Sequence, residues 1–187
     1  DDSALHVEPG LALAFRRLSI VDLAGGAQPP ANEDGTVWIA YNGEIYNHEA
    51  LRRELEAKGH RYRTHSDTES IVHAYEEWGD ACVEKLRGMF AFALWDRKRS
   101  RLLLARDRVG IKPLYFARAG NAWVCASEIK ALFAFPGVPR AVRAPALVEH
   151  LTLRYVASPA TLFQGIEKLE PGHVLAVDAS GATRRRF

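Results

Sequence analysis

The run Met89-Phe90-Ala91-Phe92-Ala93-Leu94-Trp95 carries no polar side chain, and it limits the fold more than any other stretch of the chain. A strand of this kind must be covered on both faces, so it belongs between two layers. Asp96 to Ser100 supplies a polar turn, and Arg101-Leu102-Leu103-Leu104-Ala105 returns, which predicts a hairpin at the centre of the core. Further strands are expected over Leu11 to Val21, Val37 to Tyr41, His60 to Thr64 and Pro113 to Ala117. Another, Ala122 to Ala126, follows the turn at Gly120-Asn121, and the chain ends in a hairpin from Pro171 that turns at Ser180-Gly181. Helical patterns cover His48 to Lys58, the stretch after Ser66, Glu128 to Phe133, and Pro145 to about Leu153. Hairpin-linked strands and paired helices define an α+β domain, with two antiparallel sheets face to face and a helical layer outside each.

Composition removes several classes of function. The chain has 187 residues, 48% of them hydrophobic, and a formal charge of +2, which suits a single well-buried domain. Arg184-Arg185-Arg186 is the longest basic run and reads as a solvated strand edge, so no nucleic acid is expected as a partner. No apolar stretch approaches the about 20 residues that span a bilayer, and the acidic start is unlike a signal peptide, so a cytoplasmic location without a membrane contact is expected. Cys82 and Cys125 lack metal-ligand spacing and are expected to be buried and reduced.

Chemistry concentrates in Tyr41-Asn42-Gly43-Glu44-Ile45-Tyr46-Asn47. A strand is expected to end in a sharp Asn-Gly turn, with Asn47 capping the next helix and Tyr46 stapled to Leu51. The Asn42 amide and the Gly43 N–H could then hold an oxyanion beyond the sheet. Ser66-Asp67-Thr68-Glu69 fits a capping box, which leaves the Asp67 carboxylate at the first helical position and turned outward. Arg16 and Arg17 alternate across their strand, so one can face a cleft while the other meets solvent, although the two residues by themselves read as surface charges on an edge strand.

The string NGEIYN resembles the glutaminase domain of the glutamine-hydrolysing asparagine synthetases, which are class II amidotransferases with an N-terminal nucleophile. The resemblance continues through RLSIVD from Arg17, SDTE from Ser66, GMFAFAL from Gly88 and RDRVGIKPLY from Arg106. It implies a four-layer αββα sandwich and a single glutaminase domain over residues 1–187, with L-glutamine as substrate. By the same resemblance, Arg17 clamps the α-carboxylate of glutamine, Asp67 accepts its α-ammonium, and Ile20, Val21 and Glu44 line the pocket. Asn42 and Gly43 form the oxyanion hole.

In that family a cysteine at the mature N-terminus attacks the amide and yields a glutamyl thioester and ammonia. This chain begins Asp1-Asp2-Ser3, so the nucleophile is expected to precede Asp1, and the 187-residue stretch by itself is expected to be inactive. The resemblance also implies a C-terminal synthetase domain that uses ATP and magnesium to amidate a carboxylate, aspartate in the leading case. No cofactor is implied for the glutaminase domain, and a homodimer is left open. The alternative is a non-catalytic glutamine-binding or scaffold domain, as in β-lactam synthetase relatives that lack the nucleophile. Other class II amidotransferases share the Asn-Gly element but match the remaining strings less well.

Overall fold

The computed structural model describes residues 2–17 and 31–187, and the side chains of 5–15 and 31–187. The chain opens with an antiparallel pair, β1 (Asp2–Glu8) and β2 (Leu11–Arg17). A five-stranded antiparallel sheet follows, built from β3 (Val37–Ile45), β4 (Gly88–Asp96), β5 (Arg101–Arg106), β9 (His173–Asp178) and β10 (Gly181–Arg186). Its order is β10-β9-β5-β4-β3, so β3 is the outermost of the described strands, and Ala31 makes an isolated bridge to its Trp38. A three-stranded sheet of order β7-β6-β8 contains β6 (Tyr115–Ala119), β7 (Ala122–Ala126) and β8 (Ile166–Lys168). The helices are α1 (His48–Ala57), α2 (Asp67–Trp78), α3 (Cys82–Lys85), α4 (Ile129–Leu132) and α5 (Ala144–Leu153).

Alternation along β4 explains the layering. Phe90, Phe92 and Leu94 face one way and join Leu51 and Leu55 of α1, Ile71, Val72 and Tyr75 of α2, and Cys82 and Val83 of α3. Ala91 and Ala93 face the other way and meet Phe116 of β6, with Leu104 of β5 and Leu175 of β9 beside them. Small alanines on this side let the second sheet come close, while the phenylalanines fill the wider gap beneath the helices. Beyond the second sheet, Ala117 and Ile166 pack against Leu132 of α4. The order is therefore helix, sheet, sheet, helix, as the apolar run requires.

Several local expectations change. Residues 60–64 form a loop and not a strand, because the buried Glu69 carboxylate takes the N–H groups of Arg63 at 2.6 Å and Thr64 at 2.8 Å, together with the Thr64 hydroxyl at 2.6 Å. Glu69 is thereby diverted from a capping box. Ser66 still caps α2, accepting from the Thr68 N–H. Asn47 precedes α1 without a side-chain cap bond; its amide instead donates to Lys85 O and its carbonyl accepts from Arg87 N–H. Tyr46 is exposed, so no staple to Leu51 forms. Cys82 is fully buried, whereas Cys125 is only half-buried.

The start of α1 and the start of β4 are thus tied together at one end of the five-stranded sheet. The loop after β5 closes the same end. Asp107, 1% exposed, accepts at Oδ1 from Val109, Gly110 and Ile111 N–H and at Oδ2 from Phe90 and Lys112 N–H. Arg106 complements it by donating to the carbonyls of Gly110, Lys112 and Leu169. The RDRVGIKP string is therefore a self-braced loop in which every buried charge meets backbone dipoles.

Candidate functional site

Strand β3 does not turn at Asn42-Gly43 but runs on to Ile45, which corrects the expected Asn-Gly turn. The reason is tertiary. A Cβ on Gly43 would fall far inside contact distance of the Met89 carbonyl oxygen, and one on Gly88 would meet the Glu44 carbonyl oxygen in the same way. The two glycines let β3 and β4 approach each other at the end of their ladder.

This placement settles the direction of each group. Asn42 lies in register with Ala91 of β4, which lies in register with Arg106 of β5, so its side chain leaves the sheet on the face away from α1 and α2. It is exposed, and among the described residues its amide has no hydrogen-bond partner. The main chain alternates as well. Tyr46 N–H bonds inward to Arg87 O at 2.8 Å, whereas Ile45 N–H points outward to Asp67 Oδ2 at 2.8 Å. Gly43 N–H has the parity of Ile45 and so faces the same way, away from β4. Glu44 is exposed on the Asn42 face.

Asp67 arrives at that side of β3 from the first position of α2. Its Oδ2 accepts from Tyr41 OH at 2.7 Å as well as from Ile45 N–H. Among the described residues, Oδ1 has no partner. The carboxylate is thus oriented by one oxygen and free at the other. Burial pushes the Tyr41 hydroxyl far above its ordinary pKa, and the Asp67 charge pushes in the same direction, so Tyr41 stays a donor at every physiological pH. Sequence reasoning missed Tyr41 and the Ile45 N–H as the groups that aim Asp67. The alternation of β3 marks Tyr41 as inward-facing, but nothing in the string shows which acceptor its hydroxyl meets.

Arg17 ends β2, paired with Asp2, and its side chain lies outside the described residues, as do Ile20 and Val21. Neither cysteine reaches the edge. Burial raises the Cys82 thiol to about 12 and the Cys125 thiol to about 11, so both are protonated at neutral pH. Two hollows among the described residues also lie elsewhere, one beside Arg101 and Asp178 and the other beside Pro145 and Phe163.

The order helix, sheet, sheet, helix recurs in solved structures. The solved structure of glutamine phosphoribosylpyrophosphate amidotransferase from B. subtilis, complexed with ADP and GMP, shares the fold with a TM-score of 0.65 at 23% identity. That match covers 94% of this chain and 34% of the other. The structure of the allosteric regulatory enzyme of purine biosynthesis matches with a TM-score of 0.67, also at 23% identity, over 94% of this chain and 35% of the other.

The chain belongs to the glutamine amidotransferase domain family, whose model matches residues 1–187. Asparagine synthetase [glutamine-hydrolyzing] 3 of Bacillus subtilis (strain 168) is 42% identical over 190 residues, which cover 100% of this chain and 31% of the relative. Asparagine synthetase [glutamine-hydrolyzing] 3 of Arabidopsis thaliana is 50% identical over 134 residues, covering 71% of this chain and 23% of the relative. The chain spans less than a third of the length of these curated relatives.

Proposed function

We propose that this chain is the glutaminase part of a glutamine-dependent ligase, hydrolysing L-glutamine to glutamate and ammonia for an asparagine synthetase-type amidation. The observation that carries this reading is the Asp67 carboxylate, aimed by Tyr41 OH and Ile45 N–H at the end of β3 that holds Asn42 and Gly43. The free Asp67 Oδ1 receives the α-ammonium of glutamine, and Arg17 pairs with its α-carboxylate through a bidentate fork. Ile20, Val21 and Glu44 complete the pocket wall.

The side-chain carbonyl then lies against Asn42 Nδ2 and Gly43 N–H. The family's N-terminal cysteine thiol attacks the amide carbon while its proton passes through its own α-amino group to the leaving nitrogen, and the two donors hold the oxygen as its charge develops. The C–N bond breaks, ammonia leaves with the added proton, and water cleaves the thioester to release glutamate.

The remaining length of the relatives supports a further synthetase domain on the same polypeptide, which would hold the ATP and magnesium and choose the acceptor, aspartate in the leading case. No helix among the described residues is long and apolar enough to cross a membrane, and the proposed setting is the cytoplasm. A homodimer is compatible with this reading.

Asn42→Ala in the full-length polypeptide tests the assignment. Glutamine-dependent turnover is expected to fall by about two to three orders of magnitude, with ammonia-dependent synthesis almost unchanged. Equal loss of both activities would show that Asn42 supports the fold and not the oxyanion. The silent thiols of Cys82 and Cys125 favour a second reading, a glutamine-binding domain without chemistry. Failure of the folded full-length polypeptide to release ammonia from glutamine would select it.

A further inference from the structure

On the helical side of the five-stranded sheet, remote from the Asn42 end of β3 in chemistry and in role, two imidazoles and one carboxylate converge. His60 comes from the loop after α1, and His73 and Glu76 come from one face of α2. One ligand atom from each lies within 4.8 Å of the others. His73 Nδ1 is 2.8 Å from Glu76 Oε2, and His60 Nδ1 is 3.7 Å from the same oxygen. The other Glu76 oxygen accepts from the buried Asn32 amide at 2.7 Å, which fixes the carboxylate plane and turns Oε2 toward the two rings.

The far nitrogen of each ring has a carboxylate behind it. His73 is 1% exposed, and its Nε2 is buried without a hydrogen-bond partner, the nearest acceptor being Glu69 Oε1 at 3.7 Å. His60 Nε2 stands 3.6 Å from Glu77 Oε2. A neutral imidazole that gives Nδ1 to a metal keeps its proton on Nε2, where an outer carboxylate orients the ring. Glu69 and Glu77 stand on those sides of the two rings, at 3.7 and 3.6 Å, just beyond hydrogen-bond distance. Glu33 Oε2, 3.9 Å from His73 Nδ1, offers a further oxygen for a fourth position, and its other oxygen is held by Arg61 N–H.

We propose that His60 Nδ1, His73 Nδ1 and Glu76 Oε2 form a binding site for a divalent first-row transition ion, zinc being the best fit to two imidazoles and a carboxylate. The donor set is of the borderline type, with no thiolate to favour copper(I) and too few oxygens for calcium or magnesium. Glu33, Glu69, Glu76 and Glu77 surround the two rings and favour a dication. The bound ion joins the loops at residues 31–36 and 58–66 to α2, so it acts as a clasp and takes no part in the amide chemistry.

Titration of the metal-stripped chain with zinc at neutral pH, followed by calorimetry, is expected to show one equivalent bound and a rise in melting temperature. His60→Asn and Glu76→Gln, both at accessible positions, should abolish the stoichiometric step while leaving the far-ultraviolet circular dichroism unchanged. Glu77→Gln removes the carboxylate behind His60, together with its surface pairing to Lys58, and should weaken zinc by roughly 10–100-fold. Cobalt(II) provides an independent signature, an intense visible band that zinc displaces and that His60→Asn lacks. A folded parent that takes up no zinc overturns the proposal, as does zinc binding of equal affinity in the parent, His60→Asn and Glu76→Gln.

Discussion

Asp107 holds the turn after β5 with five N–H donors, from Phe90, Val109, Gly110, Ile111 and Lys112, so its charge is solvated entirely by main chain. Burial would raise the pKa of its carboxyl, but the donors of Lys112, Ile111, Gly110 and Phe90 outweigh it and hold the group below the ordinary value. Asp107→Asn keeps the shape, yet it replaces one acceptor with an NH2 that faces N–H groups. A loss of about 3 kcal/mol is expected from urea denaturation, as for a buried polar group left unpaired. Tyr41 acts on the same scale, presenting Asp67 to the edge through a single hydroxyl. Gly43 shows where residue chemistry misleads. Its neighbour Asn42 makes the pair look like a turn, but the glycine is there because Met89 of another strand passes against it.

Among the elements, α2 has the most to hold: Asp67 at its start, Glu69 bracing the preceding loop, and His73 and Glu76 in its middle. Glu69→Gln should release the Arg63 and Thr64 amides, since a neutral amide replaces the carboxylate that accepts both. Hydrogen exchange at those two positions is expected to accelerate while the core of β4 stays protected. Unchanged protection at Arg63 and Thr64 would mean that the loop is held by something else.

The β4–β5 hairpin, the Ser66 cap and the Asp67 position were legible in the sequence because each follows from spacing within one segment. The loop at residues 60–64 was not, because its main-chain partner is a carboxylate on the next helix. Asn47 escaped for the same reason. Its side chain reaches Lys85 and Arg87, about forty residues away, and no local rule announces a bond of that span.

At the scale of the whole molecule, the carboxylates decide how the fold responds to acid. Glu8 is lowered to about 2, chiefly by its bond from Arg97, with Trp95 and His6 also donating to it; this joins the β1–β2 pair to the β4 turn. Asp107 is also lowered. A carboxyl whose folded pKa lies below its unfolded one contributes stability that is present above the unfolded value and lost as pH falls through the folded one. Stability is therefore expected to decline from about pH 4 downward. Denaturation midpoints measured between neutral pH and pH 2 should show this acid limb, and Asp107→Asn should make it shallower. A parent whose midpoint is flat across that range would contradict the assignment. The αββα order itself was readable from the apolar run of β4, because a strand without polar side chains needs two covers.

The state of the two sulfurs makes the domain a dark background for labelling. With Cys82 fully buried and its thiol pushed up to about 12, it offers no thiolate to an alkylating probe, and burial pushes the half-buried Cys125 in the same direction. In any longer polypeptide that contains these 187 residues, rapid uptake of such a probe would point to a sulfur elsewhere in the chain, and a single mass increment would suffice to locate it.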